Sequence, residues 1–344
     1  MENTGKNRYS LSLDKSSGAS SYVTGLCHNG TSSIATILST NQVLLIDAET
    51  TDIKKTVTLH GECTGINFDN NVCRIVDSSK RLFTIDDRTE DVSVLPFSIG
   101  DHVPCSSAFN ASQIAVGTRG KTDPAGDGDD DDEDSYAVWL FDSRNLHQLM
   151  VEGDAHSDSI TSLAFTADGF LLSGASDSLF NVIDPNGIED RVVATVSVES
   201  PISKIGTLPG SLIYTISDDS KLSILKMNAP DDVDIISRRR VSRDRFLVDV
   251  FNTSLSDYPI GAIETTPEGD IFVIGLSSTG SDSTVLAHTK GVHSDVVRCA
   301  AWNDGTLFTG GEDGVMAATA FDFRPSAGKA IRKEAIAKTR ATPY

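Results

Sequence analysis

The sequence predicts an all-β chain folded as a seven-bladed β-propeller, and three observations carry that prediction. Short apolar runs are punctuated throughout by Gly, Asp, Asn and Ser, the pattern of strands joined by tight turns. The stretch Asp154 to Asp184 holds three such strands, a sheet too small to bury both faces without further copies of itself. A turn position preceding an apolar third strand then recurs at Thr40, Ser79, Ser135, Asp177, Asp219, Asp282 and Asp313, which makes seven units. Seven four-stranded units close their exposed edges best by radial repetition.

Within the founding stretch, His156 opens the unit and Ile160, Leu163 and Phe165 form its first apolar run. Ala167-Asp168-Gly169 is a tight turn, because Gly accepts a positive φ and Asp bonds its own backbone. Phe170 to Ser173 makes the second strand, Asp177 marks the next turn, and Phe180, Val182 and Ile183 make the third. A second copy runs from His293 through Trp302, Gly305 and Thr309 to Asp313. In both copies a hydroxyl residue lies four positions before the turn Asp: Ser173 before Asp177, and Thr309 before Asp313.

On these residues the sequence resembles the WD40 repeat family. The resemblance implies a hydrogen-bonded relay of His156, Ser173 and Asp177 in one blade and of His293, Thr309 and Asp313 in another. Ile183 and Thr319 stand where the family's Trp is expected, so the relay should have three members. His60 is expected at an equivalent blade entrance, and recurrence at a structural period assigns these histidines to the fold rather than to catalysis.

In chain order, a spare strand at Tyr9 to Leu13 precedes the first unit, and the last unit is one strand short after Phe321. The family's closure habit implies that the N-terminal strand supplies the missing one. The marker spacings are 39, 56, 42, 42, 63 and 31 residues, against a usual repeat of about 40–45. The first long spacing contains an insertion at about 118–135 with eight acids between Asp123 and Asp134, among them Asp129, Asp130, Asp131, Asp132 and Glu133. Such a run repels itself and buries no apolar area, so it should be a disordered loop. The second long spacing contains Arg238, Arg239, Arg240, Arg243 and Arg245, expected in a solvated loop after an extra outer strand. An import signal or an acid-binding patch is the alternative for this cluster, and Ser242 within it is a candidate phosphate acceptor. The single propeller should therefore span 1–323, followed over 324–344 by a flexible tail of charge +5 with a short helix over 329–337.

Composition narrows the function. A 39% hydrophobic content and a mean hydropathy of −0.13 fit a globular chain. With no run of about 18 apolar residues and no apolar stretch near Met1, neither a membrane helix nor a secretory signal is expected. Cys27, Cys63, Cys73, Cys105 and Cys299 are odd in number and hold no C-x-x-C, so they read as small buried hydrophobes in a reducing compartment. Cys27 and His28 lack the spacing of a metal site. The net charge of −20 opposes broad binding of nucleic acid, whose phosphates it would repel.

Two motif-like stretches fail on inspection. The run from Ala115 to Thr122 lacks the first Gly of a phosphate loop, and Asp123-Pro124 stands where the helix should begin. The run from Asp127 to Val138 has Asp132 where a calcium loop needs Gly and Val138 where it needs Glu. No enzyme, cofactor or metal is expected.

The resemblance places blade-to-blade loops and second-to-third-strand turns on one face. That face would carry Asp158, Asp218, Asp295 and Glu312 together with the acidic insertion. Charge of one sign around a channel mouth speeds capture of the opposite sign. The expected function is a non-enzymatic scaffold binding a basic protein such as a histone, a ribosomal protein or a basic tail, as an escort or chaperone. The alternative is a structural subunit of a larger nuclear or cytosolic complex, held through blade edges or the tail. The stretches 153–184 and 292–314 resemble the eukaryotic WD repeat-containing protein 89 group, which implies a propeller without catalytic activity and a nuclear setting; the localisation expected overall is nucleus or cytoplasm.

Overall fold

The computed structural model describes residues 5–13, 21–89, 91–120, 136–188, 190–321 and 323. The acidic residues 121–135, the tail from 324 onward and its expected helix lie outside the described residues. Among those described, all regular structure is β.

Twenty-eight strands form seven four-stranded antiparallel sheets. The first strand, β1 (Lys6–Ser12), stands apart from its sequence neighbours. Blade one holds β2 (Val23–His28), β3 (Ser33–Leu38), β4 (Gln42–Asp47) and β5 (Ile53–Thr58). Blade two holds β6 (Cys63–Asp69), β7 (Val72–Asp77), β8 (Arg81–Asp86) and β9 (Val92–Pro96). Blade three holds β10 (Val103–Phe109), β11 (Gln113–Arg119), β12 (Val138–Asp142) and β13 (Gln148–Glu152). Blade four holds β14 (Ser162–Phe165), β15 (Leu171–Gly174), β16 (Leu179–Ile183) and β17 (Val192–Ser197). Blade five holds β18 (Ile202–Leu208), β19 (Leu212–Ser217), β20 (Lys221–Ala229) and β21 (Asp232–Arg240). Blade six holds β22 (Phe246–Asn252), β23 (Ile260–Thr265), β24 (Ile271–Leu276) and β25 (Ser283–Thr289). Blade seven has β26 (Val297–Asn303), β27 (Thr306–Gly311) and β28 (Val315–Ala320) from the C-terminal end, and β1 as its fourth strand.

Burial explains why the middle strands read as unbroken apolar runs. Second and third strands are sandwiched between neighbouring sheets, and every residue of β3 and β27 is buried. Outer strands meet water: all five residues of β9 are exposed, and β5 is mostly so. There is no single central core. Seven apolar clusters fill the seven blade junctions, including one that joins Leu13, Phe308 and Met316 of the last blade to Ile34, Leu44 and Ile46 of the first. The Ala167-Asp168-Gly169 turn forms as expected, with φ of +90° at Gly169 and its N–H donated to Thr166 O at 3.1 Å.

The ring closes as the sequence predicts. β1 pairs antiparallel with β28, from Lys6 opposite Ala320 to Ser12 opposite Val315, and Leu13 N–H donates to Gly314 O at 2.9 Å. Tyr9 and Leu11 pack on the junction cluster.

Two expectations are corrected. Asp282 precedes β25, the outer strand of blade six, whereas the third strand is β24 after the turn Thr266 to Asp270. The longer turn and the apolar run Val285-Leu286-Ala287 in the outer strand displaced the marker by one strand. Arg238, Arg239 and Arg240 do not lie in a loop but end the outer strand β21, in register with Ser223, Leu222 and Lys221.

Deletion of residues 1–14 should lower the melting temperature by on the order of 10 °C, since it reopens the sheet edge and uncovers a junction cluster. Calorimetry of the truncated chain reads this directly, and an unchanged transition would contradict the closure.

Candidate functional site

Strand direction divides the propeller into two ends. At the mouth end lie the connections between blades and the turns between second and third strands. The first-to-second and third-to-fourth turns lie at the far end.

At the mouth end the sequence-derived relays are built from three elements each. His156 comes from the blade connection, Ser173 from β15 and Asp177 from the turn that follows. His156 Nε2 lies 2.8 Å from Ser173 Oγ, and Nδ1 lies 3.1 Å from Asp177 Oδ2. Asp177 also accepts the N–H groups of Ser157 at 3.0 Å and Leu179 at 2.9 Å, so one carboxylate ties the connection to the turn. Burial lowers the His156 pKa below its ordinary 6.5, so the ring is neutral at pH 7, donating from Nδ1 and accepting at Nε2. His293 repeats the geometry, 2.8 Å from Thr309 Oγ1 and 3.1 Å from Asp313 Oδ1. Blade four has a fourth partner that the sequence reading did not name, Asn181, whose amide nitrogen is 3.3 Å from His156 Nε2. The equivalent β28 residue, opposite Thr309, is Ala317. His60 departs from the pattern. Its ring is exposed, and its backbone N–H donates to the buried Asp77 at 3.0 Å.

The Arg cluster supplies a second mouth-end element. Glu264, in β23, is fully buried. Its carboxylate is 2.8 Å from a terminal guanidinium nitrogen of Arg239 and 3.2 Å from one of Arg245. The Arg245 guanidinium carbon also sits 3.5 Å from the centroid of the Phe272 ring. Blades five and six are thus clamped by a buried carboxylate held between two cations, one of them over an aromatic face. The only hint in the sequence was a lone Glu inside the apolar run Ile260 to Thr265.

The four described carboxylates expected to gather at this end have different fates. Asp218 and Asp295 are exposed. Asp158 is half-buried and accepts the next residue's N–H at 2.6 Å. Glu312 is ion-paired with Arg298. Asp218 and Arg298 line the mouth of a cavity of about 680 Å³ in the central channel, with Lys204 and Phe246. Lys204 is itself paired with Asp249 at 2.7 Å. Asp129, Asp130, Asp131, Asp132 and Glu133 lie outside the described residues, but the strands that flank them, β11 and β12, leave and return at this same end. Arg240 and Arg243 are exposed here as well, so the surface is mixed in sign.

The far end carries a repeat that the sequence reading passed over. Asp47, Asp86 and Asp142 close third strands and Asp184 directly follows one, in the strings LLID, FTID, WLFD and NVID. Each accepts a backbone N–H two residues on, from Glu49, Arg88, Arg144 and Asn186 at 2.8–3.0 Å. The N–H groups of Thr50 and Glu49 and the Lys54 ammonium hold the Asp47 carboxyl down to about 2. These acids build turns.

The five cysteines form no disulfide, and burial pushes the Cys63 and Cys299 thiols up to about 12. Among the described residues no group of three His, Cys, Asp or Glu is arranged to hold a metal, and no helix is long and apolar enough to cross a membrane.

The Glu264→Ala variant should lose about 2–3 kcal/mol in urea unfolding, less than a fully buried pair because both arginines keep some solvent contact. The His156 shift has a sign. Its stabilising contribution is complete above the ordinary value of 6.5 and is lost progressively as pH falls from there towards the lower folded value. Stability should therefore drop between pH 7 and pH 5, and the drop should be smaller in His156→Gln when urea midpoints are compared at both pH values.

No family model matches the chain, and no curated protein matches it. Among solved structures it is similar to a chain of the "Crystal Structure of Mitotic Checkpoint Complex", with a TM-score of 0.71 and 14% identity over 93% of each chain. At that identity the likeness is one of fold, and the chain is a seven-bladed β-propeller.

Proposed function

We propose that this propeller is a non-enzymatic interaction scaffold of the WD40 kind that captures a basic protein at its mouth end. The observation that carries the proposal is the exposure of Asp218 and Asp295 at the end where β11 stops and β12 starts, the two strands that flank the acidic insertion in sequence. Carboxylates already committed to turns and ion pairs offer little to a partner, whereas Asp218 and Asp295 are exposed, Asp295 giving one oxygen to the Val296 N–H at 2.8 Å, and the sequence of the insertion adds eight acids. The client is a lysine- or arginine-rich protein, a histone, ribosomal protein or basic tail, and an escort role suits a segment that screens charge without tight geometry. The finer likeness to the WD repeat-containing protein 89 group and a nuclear or cytoplasmic setting belong to the same proposal.

A second reading, a structural subunit of a larger assembly, is favoured by one observation. Val92, Val94 and Leu95 are 38–40% exposed on β9, whose outer edge has no strand partner among the described residues. The solved relative in fold belongs to a complex by its own description.

Salt separates the two readings, because exposed charges are screened and apolar edges are not. With a fluorescent Arg/Lys-rich peptide, the double variant Asp218→Asn, Asp295→Asn should bind about three- to tenfold more weakly at low salt, and wild-type binding should fade as salt rises. Equal affinity of variant and wild type would contradict capture at this end.

A further inference from the structure

We propose that Ser242 is a phosphorylation site for an arginine-directed Ser/Thr protein kinase, and that its phosphate strengthens capture of a basic partner at the mouth end. The second half rests on the function proposed above; the first does not.

Three observations carry it. The segment Arg238-Arg239-Arg240-Val241-Ser242-Arg243 places the exposed guanidinium of Arg240 two residues before a hydroxyl, while that of Arg239, three residues before it, is held on Glu264. Kinases of this class hold such groups with carboxylates in their substrate cleft, through charge-assisted hydrogen bonds. The fold then presents the hydroxyl. Val241 is buried as an anchor, whereas Ser242, Arg243 and Asp244 are exposed. The Arg245 N–H donates to Ser242 O at 3.0 Å and closes a turn, and Arg239 and Arg245 fix both feet of that turn on Glu264. The preceding residues end β21, an outer strand to whose far edge no strand is paired among the described residues, so an incoming cleft reaches the backbone without displacing a strand.

The third observation is electrostatic. Arg240 and Arg243 form an exposed basic patch at an end otherwise offering Asp218 and Asp295, and Phe246, three residues after Arg243, lines the channel cavity. A phosphoserine adds about −1.5 to −2 charge at pH 7 and finds arginines on both sides. It converts the patch that repels a basic client into one that does not.

In the transfer, Ser242 Oγ attacks the γ-phosphorus of ATP in line. The Oγ–P bond forms as the bond from phosphorus to the β,γ-bridging oxygen breaks. ADP departs with that electron pair, and the hydroxyl proton passes to the kinase's carboxylate base.

The test treats the full-length folded chain with the catalytic subunit of cyclic-AMP-dependent protein kinase and Mg-ATP, followed by mass spectrometry and by titration with the fluorescent Arg/Lys-rich peptide at low salt. Expected are one phosphate on the peptide containing Ser242, none there in Ser242→Ala, incorporation at least about fivefold slower in Arg240→Ala, and at least about threefold tighter peptide binding by the phosphorylated chain. A folded chain that takes no phosphate at Ser242 overturns the site. A phosphorylated chain that binds no tighter, while the unmodified chain binds in a salt-dependent way, overturns the regulation alone. If neither form binds the peptide, the scaffold reading has failed and takes the regulation with it, while the mass spectrum still decides the site.

Discussion

The pairing of β1 with β28 is the constraint on which the other contacts depend. Each blade buries its two middle strands only because a neighbour stands on either side. Seven junction clusters therefore require seven junctions, and the last exists only when the ring is shut. Leu13, Phe308 and Met316 meet Ile34 and Ile46 across that junction. A strand from the beginning of the chain completes the blade at its end, so neither terminus can leave without opening both a hydrogen-bonded edge and an apolar seam.

Packing between two sheets leaves buried polar groups to be satisfied in place, and the chain does this with pieces from separate loops. Asp177 and Asp313 each join a blade connection to a turn through a histidine and backbone N–H groups. Glu264 is a costlier solution, a buried carboxylate whose charge is met by arginines from β21 and the connection after it. The same clamp holds Ser242 out at the surface, so a device that joins blades also shapes a surface at the channel mouth.

Much of the architecture is legible in the sequence, for a physical reason. Two-sided burial makes middle strands continuous apolar runs, and turn chemistry marks their ends, so Thr40, Ser79, Asp177, Asp219 and Asp313 each fall before a true third strand. Asp282 misled because blade six has an apolar outer strand. Arg238 to Arg240 carry the charge of a loop but lie on a strand, because Asp232 to Arg240 alternates as a one-sided outer strand does. Glu264 carries no periodic signal: its partners lie 25 and 19 residues upstream and meet it only across a blade junction. The strings ending in Asp47, Asp86, Asp142 and Asp184 were readable and would have fixed the third-strand ends directly.

At the far end Asp47, Asp86, Asp142 and Asp184 spend oxygens on turns, while at the mouth end Asp177 and Asp313 join connections to turns and Asp218 and Asp295 are exposed. The proposed capture of a basic partner places it at the mouth end. Hydrogen exchange of the whole chain with and without a saturating basic peptide tests this most directly. Slowed exchange is expected at 156–159, 218–220, 294–296 and 312–314, the connections and turns around the mouth. Slowing confined to the far-end turns at 48–52, 87–89 and 143–147, or to the β9 edge, would contradict it.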